Sequence, residues 1–107
     1  MTTTPHPDIL DLGFLRQQTA GDAALQRELL ALLLGQCDAF RSVLTTLADS
    51  PVRRDAAHSL RGAAAGLGAH RLAAAATAIE AGKAAGIGRE MDDLAQAIEG
   101  LLESRAA

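Results

Sequence analysis

The chain has 107 residues, of which 49% are hydrophobic but only 2% aromatic, with two Phe, no Trp and no Tyr. Its apolar residues are mostly Ala and Leu, which favour helices, so the composition argues against a sheet-based fold and predicts one all-α domain. The formal net charge of −3 and the shortage of aromatic residues argue against nucleic-acid binding, which uses basic faces and stacking side chains.

The sequence lacks the features that indicate secretion or insertion into a membrane. Cys37 is the only cysteine, so no internal disulfide can form and nothing indicates an oxidising compartment. The first residues lack the basic and apolar segments of a signal peptide, and no aliphatic stretch approaches the ~20 residues that span a bilayer. We therefore expect a cytoplasmic protein with no membrane contact. Usage rich in Ala and Arg and poor in Lys suits a bacterium with a GC-rich genome.

The N-terminal part is predicted to hold a disordered lead-in over residues 1–7, followed by a single domain over residues 8–107. Asp11 is expected to cap a short helix that ends near Gln18, and Leu12 supplies part of its apolar edge.

The next predicted helix begins after Asp22 and reaches Ala48. Its apolar residues recur at steps of three and four. This stripe comprises Leu30, Leu33, Cys37, Phe40, Leu44 and Leu47, widened by Leu25, Leu29 and Leu32. Cys37 is therefore interpreted as a buried small apolar residue rather than a nucleophile.

Three further helices are predicted over residues 51–67, 70–83 and 89–104, separated by breaks rich in Gly, with Ser50 and Pro51 starting the first of them. Their larger inward-facing residues include Leu60, Leu72, Ile79, Met91, Leu94, Ile98, Leu101 and Leu102. Because the connections are short, we predict an antiparallel up-down four-helix bundle with a short additional N-terminal helix. Four helices can enclose their own core, so the expected state is a monomer.

His58 is predicted to lie on the solvent side of the third long segment. At about 100° per residue, an apolar stripe falls opposite the histidine, formed by Ala56, Leu60, Ala63 and Leu67. The residues that flank it on the solvent side are Arg54, Arg61, Gly62 and Ala65. Packing of the apolar stripe is therefore expected to force the histidine outward.

An exposed imidazole beside guanidinium groups suits phosphoryl transfer. A neutral imidazole is a nucleophile at cellular pH, and nearby Arg side chains can stabilise an attached phosphoryl group through charge-assisted hydrogen bonds. Gly62, one turn after His58, leaves the surface clear for another protein's active site. From the residues alone, an ordinary solvated helix face remains an open alternative.

The stretch around His58 resembles the signature of histidine-containing phosphotransfer (HPt) domains. The residues that carry the resemblance are Ala57, His58, Leu60, Arg61, Gly62, Ala64, Gly68, Ala69 and Leu72, followed by Ile79 and Glu80. Arg61 stands where the family usually has Lys. Residues 10–12 and 25–40 also resemble the family's first helices, so the resemblance covers about residues 8–103.

The resemblance implies a four-helix bundle in which His58 exchanges a phosphoryl group with the aspartate of response-regulator receiver domains. A hybrid histidine kinase is another partner that it implies. The resemblance also implies a phosphocarrier that is not itself an enzyme and holds no cofactor, because the partner receiver supplies the Asp and the Mg²⁺.

Three residues are expected to support His58. Arg61 keeps the charge of the family's Lys with a different hydrogen-bonding geometry. Glu80 matches a position where some relatives place Glu or Gln near the ring, and it could accept from Nδ1–H and leave Nε2 as the nucleophile; a solvent-facing Glu is the alternative. Arg54 is the weaker candidate, because a plain surface arginine is the preferred interpretation.

Two other functions are compatible with a helical protein of this kind. One is an HPt-like docking module that binds a signalling partner without carrying phosphate, although such a module has no need of His58. The other is the phosphoacceptor piece of a sensor kinase, which is disfavoured because Ser59 rather than an acidic residue follows the histidine. No metal site is expected, because Cys and His at zinc-site spacings are missing.

Overall fold

The computed structural model describes residues 4–46 and 48–106. Within these ranges the chain forms five α-helices and no β-strand. The helices are α1 (Leu12–Gln18), α2 (Ala23–Thr46), α3 (Pro51–Gly66), α4 (His70–Glu80) and α5 (Ile87–Ala106). The all-α fold class is thus confirmed. Of the predicted disordered lead-in, residues 1–3 lie outside the described residues, and the disorder of residues 1–7 stays a prediction.

Three helices begin at the capping residues that the sequence indicates. The side chains of Asp11, Asp22 and Ser50 each accept a hydrogen bond from the backbone amide three residues later, at 3.0, 3.0 and 3.1 Å. Each bond satisfies an amide that has no partner inside its helix. Pro51 follows as the first residue of α3, where its missing N–H is not needed.

The end of α4 lies earlier than predicted, at Glu80 rather than near Lys83. Gly82 adopts a φ of +79°, and its N–H donates to the Ile79 carbonyl at 2.9 Å, while the Lys83 N–H donates to the Ala78 carbonyl at 2.9 Å. This pair of bonds is a Schellman motif, which closes a helix through a glycine in the left-handed region. The helix therefore ends because its last carbonyls are satisfied by this turn.

The start of α5 also differs from the prediction, at Ile87 instead of Arg89. The Glu90 amide already donates to the Gly86 carbonyl at 3.2 Å, so Gly88 lies inside the helix rather than in the break. Ile87 is consequently buried in the core, a position that the prediction did not include.

The core lies between the four longer helices. α2 packs against α3 and α5, and α4 packs against the same two helices, so the contacts close into a ring. The large side chains that are fully buried here are Leu30, Leu33, Leu44, Leu60, Leu72, Ile79, Ile87, Met91, Leu94 and Ile98. The N-terminal segment covers the α3–α4 turn, where the Asp11 amide donates to the Gly68 carbonyl at 2.9 Å.

The apolar stripe of α3 is rotated relative to its prediction. Ala57 and Ala64 are fully buried together with Leu60, whereas Ala63 and Leu67 are only partly buried. The rotation turns the alanines towards α4, where Ala76 is also fully buried. Small side chains on both helices allow α3 and α4 to approach closely.

The predicted stripe of α2 is wrong at its edge. Leu30, Leu33 and Cys37 are buried as expected, but Leu25 and Leu32, which were expected to widen the stripe, are exposed, Leu32 by 65%. Leu47 lies outside the described residues. Although leucines face outward here, none of the described helices combines the length and the hydropathy that crossing a bilayer requires.

Candidate functional site

His58 lies on the outward face of α3, where 65% of its side chain is exposed. The residues that place it there are the buried ones on the opposite side of the helix, Ala56 and Leu60. The outward position follows from helical geometry and from the packing of those two residues. The imidazole is therefore accessible to a second protein.

Glu80, the last residue of α4, contacts the imidazole directly. Its Oε1 lies 2.5 Å from Nδ1 of His58, and its Oε2 accepts from Nε of Arg61 at 2.5 Å. His58 and Arg61 are one turn apart on α3, so both reach the same carboxylate from one helix face. The structure thus brings together three of the residues that the resemblance implies.

The hydrogen-bonding capacity of these groups determines which ring nitrogen carries the proton. The bonds from His58 and from Arg61 lower the pKa of the Glu80 carboxyl, so that it is a carboxylate and can only accept. Nδ1 of His58 must therefore be the donor. Because Nδ1 carries the proton, it has no lone pair that could accept a hydrogen bond from Nη2 of Arg61, which lies 3.2 Å away. In the neutral ring this leaves the lone pair on Nε2.

The surface beside the imidazole of His58 is formed by residues with little or no side chain. Gly62 and Ala65 are exposed, and a Cβ added at Gly62 would meet no heavy atom within 4 Å beyond its chain neighbours and the backbone of its own helix. Nothing in the fold therefore requires a glycine here, although glycine in a helix interior costs about 1 kcal/mol relative to alanine. An open approach to His58 is a physical reason for the glycine.

An apolar groove continues from Gly62 along the junction of α2 and α3. Its volume is about 290 Å³, and it is lined by Leu29, Leu32, Leu33, Gln36, Gly62, Ala63, Gly66 and Leu67. The sequence pattern predicts Leu29 and Leu32 in the core and therefore does not indicate this groove. The available signal was the width of the α2 stripe, which has more leucines than one buried helix face holds.

Arg54 lies one turn before His58, but its guanidinium is engaged with Asp49. Nε donates to Oδ1 at 2.8 Å and Nη2 donates to Oδ2 at 2.6 Å. The geometry therefore separates Arg54 from the group formed by His58, Arg61 and Glu80.

Two other side chains that could react, those of His70 and Cys37, make contacts within the fold. His70 lies with Nε2 3.2 Å from Oδ2 of Asp11 and packs edge-on against Phe14, with ring centroids 5.8 Å apart. Burial raises the pKa of the Cys37 thiol to about 11, so it is a poor nucleophile. Among the described residues, no group of three or more His, Cys, Asp or Glu side chains is placed to hold a metal ion.

One of the comparisons with known proteins identifies the family. The family model described as the Hpt domain matches residues 24–104, a range that includes His58, Arg61 and Glu80. No curated protein and no solved structure matches the chain. Hpt domains are phosphocarriers of two-component signalling. Since the matched range covers most of the sequence, the chain belongs to the Hpt domain family.

Proposed function

We propose that this chain is a histidine phosphotransfer protein of a phosphorelay, and that His58 carries the phosphoryl group. The observation that carries the proposal is the exposed imidazole whose Nδ1 is bonded by the Glu80 carboxylate at 2.5 Å. Bonding at Nδ1 orients the ring and leaves Nε2 as the nucleophilic atom.

The proposed reaction is a reversible in-line displacement at phosphorus. The lone pair of Nε2 attacks the phosphorus of an aspartyl phosphate on a receiver domain. The N–P bond forms as the P–O bond to the aspartate breaks, and the aspartate leaves as a carboxylate. The ring becomes a phosphoimidazolium that keeps its Nδ1 proton, and the charge of Glu80 stabilises that cation. In the reverse direction the same proton makes the ring a better leaving group.

Arg61 is proposed to assist the phosphoryl group. Glu80 holds its Nε at 2.5 Å, which fixes the guanidinium plane next to the ring. The terminal N–H groups can then donate to phosphoryl oxygens as charge-assisted bonds. The Mg²⁺ and the acidic residues that bind it belong to the receiver in this proposal, and the chain contributes the acceptor and its immediate surroundings.

The receiver is proposed to dock over His58 and Gly62 and to extend onto the apolar groove between α2 and α3. Leu32, 65% exposed, lines this groove together with Gly62 and offers apolar surface of the kind that forms the core of a protein–protein interface. A hybrid histidine kinase would present a receiver domain to the same face.

The ring of contacts between α2, α3, α4 and α5 supports the finer architecture, an antiparallel up-down four-helix bundle. Four helices that cover one core need no second copy, and we propose a monomer with one domain over residues 8–107.

Label transfer tests the proposal. The protein is incubated with receiver domains that carry labelled aspartyl phosphate, and His58→Gln is compared with the matched variant His70→Gln. We expect acid-labile, alkali-stable label on the wild type and on His70→Gln, and none on His58→Gln. A wild type that takes no label from any receiver in a broad panel would contradict the proposal and favour the docking-only module.

A further inference from the structure

An ion pair covers the end of α4. Arg54 and Asp49 join through two hydrogen bonds of 2.8 and 2.6 Å, and this contact lowers the pKa of the Asp49 carboxyl. Both side chains lie against Gly82, where an added Cβ would be 3.2 Å from Nη2 of Arg54 and 3.3 Å from Oδ2 of Asp49. The absence of a side chain at position 82 therefore allows the ion pair to lie directly on the backbone.

That backbone is the turn which ends α4. Gly82 has a φ of +79° and forms the Schellman motif that follows Glu80. Because Glu80 is the last helical residue, its backbone position depends on this turn remaining closed. Helix ends fray first when their closing bonds are lost.

α3 thus holds the end of α4 at two neighbouring points. His58 and Arg61 bond the Glu80 carboxylate, and one turn earlier Arg54, with Asp49, covers Gly82. We propose that the Asp49–Arg54 pair is a clamp that positions Glu80 against Nδ1 of His58. Arg54 and Asp49 are then positioning residues for phosphoryl transfer, an inference that rests on the proposed function of His58.

The position of Glu80 affects the reaction because it determines the tautomer of the His58 imidazole. With Glu80 in place, the proton lies on Nδ1 and Nε2 keeps its lone pair. When the clamp opens and the carboxylate moves away, the neutral ring divides its proton between the two nitrogens. The share of rings with a proton on Nε2 has no lone pair there and cannot attack phosphorus.

The first experiment needs no phosphate. Imidazole ¹⁵N shifts of His58 are recorded at a pH where the ring is neutral, for the wild type, Arg54→Ala, Asp49→Asn and Glu80→Ala. We expect the wild type to show the Nδ1–H form, and both clamp variants to move towards the shifts of Glu80→Ala. Arg27→Ala, which removes an exposed arginine of α2, is the charge-matched control and should leave the shifts unchanged. Unchanged shifts in both clamp variants would overturn the proposal.

The second experiment is a double-mutant cycle on the initial rate of transfer. Arg54→Ala is expected to slow transfer about threefold, the size set by a bidentate surface pair, and to have no further effect in the Glu80→Ala background. An equal loss in both backgrounds, with wild-type ¹⁵N shifts, would show that Arg54 contacts the phosphoryl group itself and would overturn the clamp.

The two readouts separate this inference from the proposed function. If His58 takes no label, the proposed function fails, while the ¹⁵N shifts still decide whether the clamp positions Glu80. If His58 takes label and the shifts do not respond to the clamp variants, only the clamp fails.

Discussion

The two ends of α4 each pair a histidine with a carboxylate, and the two pairs differ in what surrounds them. At the start of the helix His70 lies 3.2 Å from Asp11, whose other oxygen caps α1 through the Phe14 amide. At the other end His58 lies 2.5 Å from Glu80, whose other oxygen bonds Arg61. The Asp11 carboxylate caps the start of α1, whereas the Glu80 carboxylate binds the Arg61 guanidinium beside the exposed imidazole of His58.

The comparison shows that a histidine–carboxylate contact does not by itself indicate a phosphoacceptor. The ring of His70 packs edge-on against Phe14, so an aromatic side chain covers part of its surface. The ring of His58 has Gly62 one turn later, where even a Cβ would touch nothing. The exposed surface beside the ring and the Arg61 guanidinium on the same carboxylate distinguish the proposed reactive pair, His58 and Glu80, from the pair of His70 and Asp11.

The largest effect is expected from filling the open surface. Gly62→Leu should slow transfer by about tenfold to a hundredfold, because a bulky side chain displaces the incoming phosphoryl group from its line of attack. The matched control is Gly100→Leu, since Gly100 is likewise exposed in a helix with no atom within 4 Å of its added Cβ. Both variants should raise the melting temperature slightly through helix propensity. Equal transfer rates for Gly62→Leu and Gly100→Leu would refute the role of the open surface.

The next effect separates the two carboxylates. Glu80→Ala should slow transfer about tenfold, as removal of a partner that orients a reactive ring does, with little change in melting temperature. Asp11→Ala should leave the transfer rate at the wild-type value. Glu80→Gln, which can still accept from Nδ1–H, should fall between Glu80→Ala and the wild type. A wild-type rate in Glu80→Ala, measured under single-turnover conditions, would remove Glu80 from the reaction.

A smaller effect is expected from the apolar groove. Leu32→Asp should weaken receiver binding about fivefold, which corresponds to losing about 1 kcal/mol of interface contact. Val52, which is 62% exposed on α3, lines a different groove with Phe40 and Ser59, so Val52→Asp serves as the control. Calorimetric binding constants that fall equally in the two variants would show that the receiver does not use the α2 side of Gly62.

The smallest effect is on stability and its dependence on pH. The hydrogen bond from the Phe14 amide and the hydrogen bond with His70 lower the pKa of the Asp11 carboxyl. The ionised form of this carboxyl therefore favours folding. That contribution is complete above the ordinary carboxyl range and is lost as pH falls through the lowered pKa. Plots of melting temperature against pH, taken from pH 7 down to pH 2, should therefore approach each other at the acid end for the wild type and Asp11→Asn. Curves that stay parallel would contradict this account of the cap.

The sequence predicted well those features that depend on neighbours along the chain. The caps at Asp11, Asp22 and Ser50 are local, because each side chain reaches an amide three residues away. The orientation of His58 also follows from one helix, since the buried Leu60 sits opposite it.

Features that depend on packing between helices were less accessible to sequence reasoning. The rotation of the α3 stripe towards Ala57 and Ala64 depends on where α4 lies, and the exposure of Leu32 depends on how the described helices pack around α2. The contact between Glu80 and His58 joins residues far apart in sequence. Only the resemblance to the HPt signature indicated this contact in advance. The resemblance predicted no partner for the Arg54 side chain.

Phosphoryl transfer through Nε2 of His58 is tested most directly by identifying the nitrogen to which phosphorus is attached. The protein, uniformly labelled with ¹⁵N and phosphorylated by a receiver domain, is examined by ³¹P–¹⁵N correlation spectroscopy. We expect a single phosphorus coupled to Nε2 of His58, with a proton retained on Nδ1. Phosphorus coupled to Nδ1 of His58, or to a nitrogen of His70, would contradict it.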